Sequence, residues 1–236
     1  MTIAVPSKGR AGKTTTQKIL PSATFYVPAN EVHQYEGLGE IVAVPIEIRG
    51  ITATRNWILK NAGDRVVFID DDVASAGWVQ LHARYAKQRK EPTEAFWLYE
   101  FEKLFDVTEQ MGWKIWGVKT EAATRSVYPY KPFIFKTYVT ASCMGIINDG
   151  EYLFDERFTV KEDYEICLRH IVQYGGILGA RYLHWQNSHW GDEGGCTDYR
   201  TVEIEREAIR MLVEMYPGMI RRAKRKANVF TVQLNL

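Results

Sequence analysis

Cysteine is scarce: the 236 residues hold three, Cys143, Cys167 and Cys196, and no C-x-x-C pair. An odd, widely spaced set argues against a disulfide framework and a structural zinc site, and fits a reducing cytoplasm. Nowhere do ~18 apolar residues run together, as a membrane-spanning helix requires. Residues 1–5 also lack the charged and then apolar pattern of an export signal, so an unexported protein is expected. An excess of one charge is missing too. Thirty Lys and Arg stand against 29 Asp and Glu, for a net charge of +1. No global field therefore draws the chain to nucleic acid or to a membrane surface, and any such partner must meet a local patch. There is no internal repeat, low-complexity linker or obvious domain boundary.

What is present is apolar and aromatic: 46% and 13% of the residues, enough to bury a core in one large domain. The first third alternates short β-rich runs (2–5, 24–27, 40–44, 65–69) with helical stretches (14–20, 30–35, 52–61). That rhythm predicts βαβ units and a mostly parallel twisted sheet flanked by helices. Ligands in such sheets bind where the carboxyl ends of the strands open, which directs attention to the loops 6–12, 46–51 and 70–74. Further on, the pattern predicts a helix over 93–111, strands over 114–118 and 143–147, a helix over 163–173 closed by Gly175-Gly176, a strand over 177–183 leading into a loop over 184–199, and an amphipathic helix over 201–215.

The strongest chemical signal is Val66-Val67-Phe68-Ile69-Asp70-Asp71-Asp72, an apolar strand that delivers three carboxylates at its carboxyl end. Adjacent like charges are costly unless a cation or many donors neutralise them, and hard oxygen ligands of this kind suit Mg²⁺ or Mn²⁺ bridging to substrate phosphates. The bland alternative is a solvated acidic turn. Pro6-Ser7-Lys8-Gly9-Arg10 follows the first strand and reads either as a ligand-gripping loop or as an ordinary βα turn using Gly9. Gly12-Lys13-Thr14 suggests a P-loop, but Ser7 stands where GxxxxGK[ST] requires its first glycine. In Gly50-Ile51-Thr52-Ala53-Thr54-Arg55-Asn56, Thr52 suits a helix cap, and Arg55, one turn in, can reach the mouth of the sheet or serve as a surface ion-pair partner. Glu162-Asp163 opens a helix, where carboxylates also stabilise the helix dipole by roughly 0.3–1 kcal/mol. The segment 184–195, with His184 and His189, supplies late histidines in a glycine-rich stretch.

In this order the motifs resemble the GT-A glycosyltransferases, and the Val5-Pro6-Ser7-Lys8-Gly9-Arg10 opening is similar to that of the phage TET-associated glycosyltransferases proposed to decorate hydroxymethylated pyrimidines in viral DNA. The resemblance covers roughly residues 3–195. It implies a single GT-A, Rossmann-like α/β domain over 1–236, with a nucleotide-sugar half at about 1–75, an acceptor half at about 76–200 and a helical, basic extension at about 201–236. It further implies a metal-dependent hexosyltransferase using a UDP-sugar and Mn²⁺ or Mg²⁺. Pro6, Ser7, Lys8, Gly9, Arg10, Arg49, Arg55, Asp70 and Asp71 would bind the nucleotide sugar. Asp72, with His189 or His184, would hold the metal. Asp163, or its rival Glu162, would be the general base of an inverting transfer. For a DNA acceptor, Arg221, Arg222, Lys224, Arg225 and Lys226 would hold phosphates, and Trp97, Trp113, Trp116, Tyr128 and Tyr130 are candidates for stacking on a base. Such a protein would work in the cytoplasm, that of the host if phage-encoded. Three readings remain beside it: transfer to a glycan, lipid or protein acceptor, a nucleotidyltransferase, and a non-catalytic nucleotide-binding module.

Overall fold

A computed structural model describes residues 1–78, 92–119, 131–188, 200–222 and 232–236. Four strands open the chain: β1 (Thr2–Pro6), β2 (Thr24–Pro28), β3 (Glu40–Val44) and β4 (Arg65–Ile69). β5 (Val73–Trp78), β6 (Ile115–Lys119), β7 (Phe133–Ile134), β8 (Cys143–Ile147) and β9 (Leu178–Asn187) complete a nine-stranded sheet. Its order is β3-β2-β1-β4-β8-β6-β9-β5, with β7 also on β9. β1, β2, β3, β4, β6 and β9 run one way, and β5, β7 and β8 run against them. The sheet is thus mostly parallel.

Alternation along the strands sorts the core into two layers. Val67 and Ile69 of β4 face α2 (Glu94–Gln110), whose Trp97, Phe101, Leu104 and Phe105 fill one side with Trp116 and Trp185. Val66 and Phe68 face the other side, where Ile58 and Leu59 of α1 (Ile51–Asn61) meet Ile166, Cys167 and Ile171 of α3 (Glu162–Tyr174). A third cluster joins α3 to α4 (Val202–Met215) through Leu168, Ala208, Leu212 and Tyr216. It continues into a two-stranded sheet of β10 (Ile220–Arg222) and β11 (Val232–Leu234). No helix among the described residues is long and apolar enough to cross a membrane.

Several local expectations change. The segments read as helices over 14–20 and 30–35 hold only 3-10 turns, Thr16–Lys18 and Val32–Gln34. Thr52 does not cap α1: Gly50 occupies that position, and the Thr52 hydroxyl donates to the Phe158 carbonyl at 2.6 Å. β5 stands where a loop and loosened pattern were expected, and β9 continues to Asn187, so His184 lies on a strand. Trp97 and Trp116 are fully buried and Trp113 packs on Phe135, so these rings belong to the fold and are not free for a base; Tyr128 and Tyr130 lie outside the described residues.

Candidate active site

The carboxyl ends of β1 and β4 meet at the aspartate triplet, and each aspartate has a different environment. Asp71 is buried and held from β1's loop: the Ser7 hydroxyl donates to its Oδ2, and Arg10 Nη1 lies 3.0 Å from its Oδ1. Tyr35 completes that network, with its hydroxyl 3.0 Å from Ser7 Oγ and accepting from the Arg10 amide at 3.1 Å. Asp72 is also buried, with Oδ2 3.4 Å from Arg10 Nη1. Asp70 is the open member, its side chain 37% exposed. The protein gathered around it raises its carboxyl to about 6; Asp72 and Asp71 add to the rise, while Arg55 and Asn187 oppose it.

The triplet's backbone is pinned by residues whose importance the sequence did not signal. Thr16 Oγ1 donates to the Asp70 carbonyl at 2.6 Å, Thr15 N to the Asp71 carbonyl at 2.9 Å, and Thr15 Oγ1 to the Val73 carbonyl at 2.8 Å. No α-helix starts in this segment, which confirms that Gly12-Lys13-Thr14 does not open a P-loop. From the far side of the sheet, Asn187 Nδ2 donates to Asp70 Oδ2 at 2.5 Å, and Ser188 donates through N and Oγ to the Asp72 carbonyl at 2.9 and 3.0 Å.

Arg55 connects this cluster to the second acidic group. Its Nη2 lies 3.9 Å from Asp70 Oδ1, its Nη1 pairs with Glu162 Oε1, and its guanidinium rests over Phe68 and Phe154. Asp163, next to Glu162, is half-buried and accepts from the Tyr164 amide at 2.9 Å. Burial, and then the neighbouring Glu162, push its carboxyl up to about 7 against the pull of Arg55 and Lys161. One guanidinium therefore links Asp70 to Glu162, and beside Glu162 stands a carboxyl poised to exchange a proton near neutrality.

The other candidates are placed less centrally. His184 stands opposite Gly77, its Cε1 3.1 Å from where a Cβ would lie, and three strand residues before Asn187. That step is about 10 Å on the strand rise. Lys8 and Arg49 are exposed, Pro6 is half-buried at the end of β1, and Gly9, at φ 67°, donates its amide to Glu31 at 2.7 Å. Arg221 and Arg222 are exposed on β10; His189, Lys224, Arg225 and Lys226 lie outside the described residues.

The donor set suits a divalent cation. Three consecutive carboxylates face two guanidiniums, the open carboxylate is driven toward its protonated form, and the buried Asn187 Oδ1, a hard oxygen beside Asp70, has no hydrogen-bond partner among the described residues. Among the described residues no group of three or more His, Cys, Asp or Glu side chains is placed to hold a metal ion.

A family model described as TET-Associated Glycosyltransferase matches residues 1–193. No curated protein matches the chain. Solved structures share the fold at low identity. Staphylococcus aureus TarS 1–349 in complex with UDP-GlcNAc is 14% identical, with a TM-score of 0.50 over 90% of this chain and 67% of that one. Mycobacterium tuberculosis glucosyl-3-phosphoglycerate synthase, with Mn²⁺, UDP-glucose and glycerol 3-phosphate, is 11% identical, with a TM-score of 0.51 over 99% and 85%. The Pyrobaculum calidifontis mannosyltransferase PcManGT, with GDP-mannose and Mn²⁺, is 12% identical, with a TM-score of 0.52 over 89% and 64%. The architecture is that of GT-A glycosyltransferases.

Proposed function

The chain belongs to the TET-associated glycosyltransferase family, and from that membership we propose that it moves a sugar from a UDP-sugar to the hydroxyl of 5-hydroxymethylcytosine, or another hydroxymethylpyrimidine, in DNA. The observation that carries the reading is the Arg55 bridge, which ties the open Asp70 carboxylate to Glu162, the neighbour of the near-neutral Asp163 carboxyl.

In this reading the diphosphate lies at the carboxyl ends of β1 and β4. Mn²⁺ or Mg²⁺, held by Asp72, would neutralise charge on the departing UDP, with Asp70 and Asp71 facing the nucleotide sugar. His189, which directly follows the Asp72-bound Ser188, is the histidine proposed to join Asp72. Arg55 holds Asp70 and Glu162 at a fixed separation, and Lys8, Arg10 and Arg49 supply positive charge along the nucleotide's approach. Asp163 accepts the proton of the acceptor hydroxyl as it attacks the anomeric carbon, giving inversion; a carboxyl near pH 7 is matched to that task. The exposed Arg221 and Arg222 offer charge to a DNA backbone. UDP-sugar and Mn²⁺ in similarly folded enzymes support this donor and this cation.

The test is transfer with Mn²⁺ and a panel of UDP-sugars onto duplex DNA carrying 5-hydroxymethylcytosine or plain cytosine, read by mass spectrometry of the digested nucleosides. A sugar-sized mass gain on the modified base alone is expected. UDP release without DNA modification would overturn the acceptor and leave a glycan, lipid or protein in its place.

A further inference from the structure

Lys161 is the only non-glycine residue with positive φ among the described residues, at φ 60° and ψ 22°. A lysine has no local side-chain reason to adopt the left-handed region, so its surroundings must hold it there. It immediately precedes Glu162 and Asp163 and makes no side-chain cap bond to α3. Instead its nearly buried Nζ lies 3.0 Å from Glu205 Oε2 on α4, with the Glu205 side chain wholly buried. The second Glu205 oxygen lies 2.5 Å from Arg200 Nε, and Lys161 Nζ also sits 5.2 Å from the Tyr164 ring centre. Just past the end of α4, the Tyr216 hydroxyl donates to Glu165 at 2.9 Å, gripping the same first turn of α3. Arg200, Glu205 and Tyr216 all lie beyond the 1–193 stretch that matches the family.

Burying an ion pair this deeply requires two desolvations, and such pairs are weak evidence for stability but can fix a geometry. We propose that Glu205, through Lys161, is a positioning residue of the transfer site: the pair holds the left-handed turn that aims the Asp163 carboxylate at the acceptor hydroxyl. α4 thereby sets the geometry of a site that β1, β4 and α1 otherwise build. The inference rests on Asp163 acting as the base. The groups that face Asp163 are Glu162 and Lys161 beside it, Arg55 from α1, and Tyr164 and Cys167 from its own helix.

Lys161→Asn is the discriminating variant, because asparagine tolerates the left-handed region, cannot reach Glu205, and leaves Glu205 paired with Arg200. The melting temperature and the affinity for UDP with Mn²⁺ should stay near wild type, while kcat on 5-hydroxymethylcytosine DNA falls at least about tenfold. The Asp163 carboxyl, followed by carbon-13 NMR and identified by its loss in Asp163→Asn, should titrate at higher pH once the lysine charge is gone. Lys161→Arg should recover most of the turnover and the midpoint. Wild-type kcat and midpoint in Lys161→Asn would overturn the proposal, as would a kcat loss that follows lost stability with the midpoint unmoved. If Lys161→Asn does not fold, Glu205→Gln, which keeps the lysine charge but removes its anionic partner, should lower kcat with the affinity for UDP and Mn²⁺ kept, and wild-type kcat there would overturn the proposal. Should the wild-type protein leave this DNA unmodified, the acceptor reading fails by itself. The amide exchange of residues 162–165, which needs no acceptor, then decides whether the lysine positions the turn.

Discussion

The Arg55 side chain is 6% exposed and serves two carboxylates on different elements, Asp70 after β4 and Glu162 at the start of α3. Removing it leaves Glu162 buried without its partner, so Arg55→Ala should destabilise the fold by about 3–5 kcal/mol in chemical denaturation. Arg55→Lys keeps the charge but lacks the planar fork needed to meet both carboxylates. It should lose about 10–100-fold in kcat/KM with a smaller loss of stability; wild-type turnover would show that the two acidic groups need no common bridge. Asp163 makes the opposite kind of prediction. Its folded pKa, about 7, lies above that of an unfolded aspartate, so the folded form holds the proton more tightly. Its contribution to stability is fully present at low pH and is lost as pH rises through about 7. Asp163→Asn, with no charge to bury, should therefore be more stable than wild type at pH 8 by roughly 1–3 kcal/mol, with no gain at pH 4. Transfer should vanish in the same variant, and in wild type kcat should rise with pH through about 7 as the base ionises. Equal melting curves at pH 8 would mean that the Asp163 charge is not penalised by the fold.

At the scale of elements, locally encoded segments are legible in the sequence. β4 is an apolar run ending in carboxylates, and β8 fills the span that the sequence predicts. Helices α2 and α4 begin at Thr93 and Thr201, whose hydroxyls accept from the Phe96 and Ile204 amides. The 14–20 segment failed as a helix because Thr15 and Thr16 direct their hydroxyls to the Val73 and Asp70 carbonyls, a long-range competition that no local propensity reveals. β5 is not legible locally, because Val73-Ala74-Ser75-Ala76-Gly77-Trp78 has little β-branched character and exists as a strand by pairing at the edge of β9. β9's last residues alternate, with Leu183 and Trp185 buried and Gln186 exposed, so the strand runs past Leu183 into the span expected as a loop. The same distinction divides the site: Arg55, the aspartates and Glu162-Asp163 sit in local motifs, whereas Asn187, Ser188, Lys161 and Glu205 gain their roles only from topology. Close contact between strands also makes a stability prediction. A Cβ on Gly145 of β8 would lie 2.0 Å from Cε2 of the fully buried Trp116, which Phe101 and Phe105 enclose. Gly145→Ala should cost about 3 kcal/mol by overpacking, while Gly12→Ala, with nothing within 4 Å of its Cβ and no positive φ, should be near neutral. Equal denaturation midpoints for the two would contradict this packing.

For the molecule as a whole, the question is whether the residues past the family match are an appendage or part of the folding unit. The geometry favours the second. Ala208, Leu212, Tyr216 and Ile220 share one buried cluster with Phe158, Val160 and Leu168, residues that lead into or lie on α3. Burying each large apolar side chain contributes about 1.5–3 kcal/mol, and a domain's whole margin is on the order of 5–15 kcal/mol. Truncation after Arg200 would remove four members of that cluster, expose Leu168 and Phe158, and leave Lys161 and Glu165 without Glu205 and Tyr216. The truncated chain should therefore melt at least ~10 °C lower or fail to fold, since for a domain of this size each 1 kcal/mol lowers the midpoint by about 2–4 °C. Any folded fraction should bind UDP with Mn²⁺, because the β1 and β4 ends are retained, yet lose transfer, because the turn before Asp163 is no longer held. Differential scanning calorimetry, titration with UDP and the DNA transfer assay separate these outcomes. A truncated chain that melts and transfers as the full chain does would make α4 dispensable and return the whole of the activity to residues 1–200.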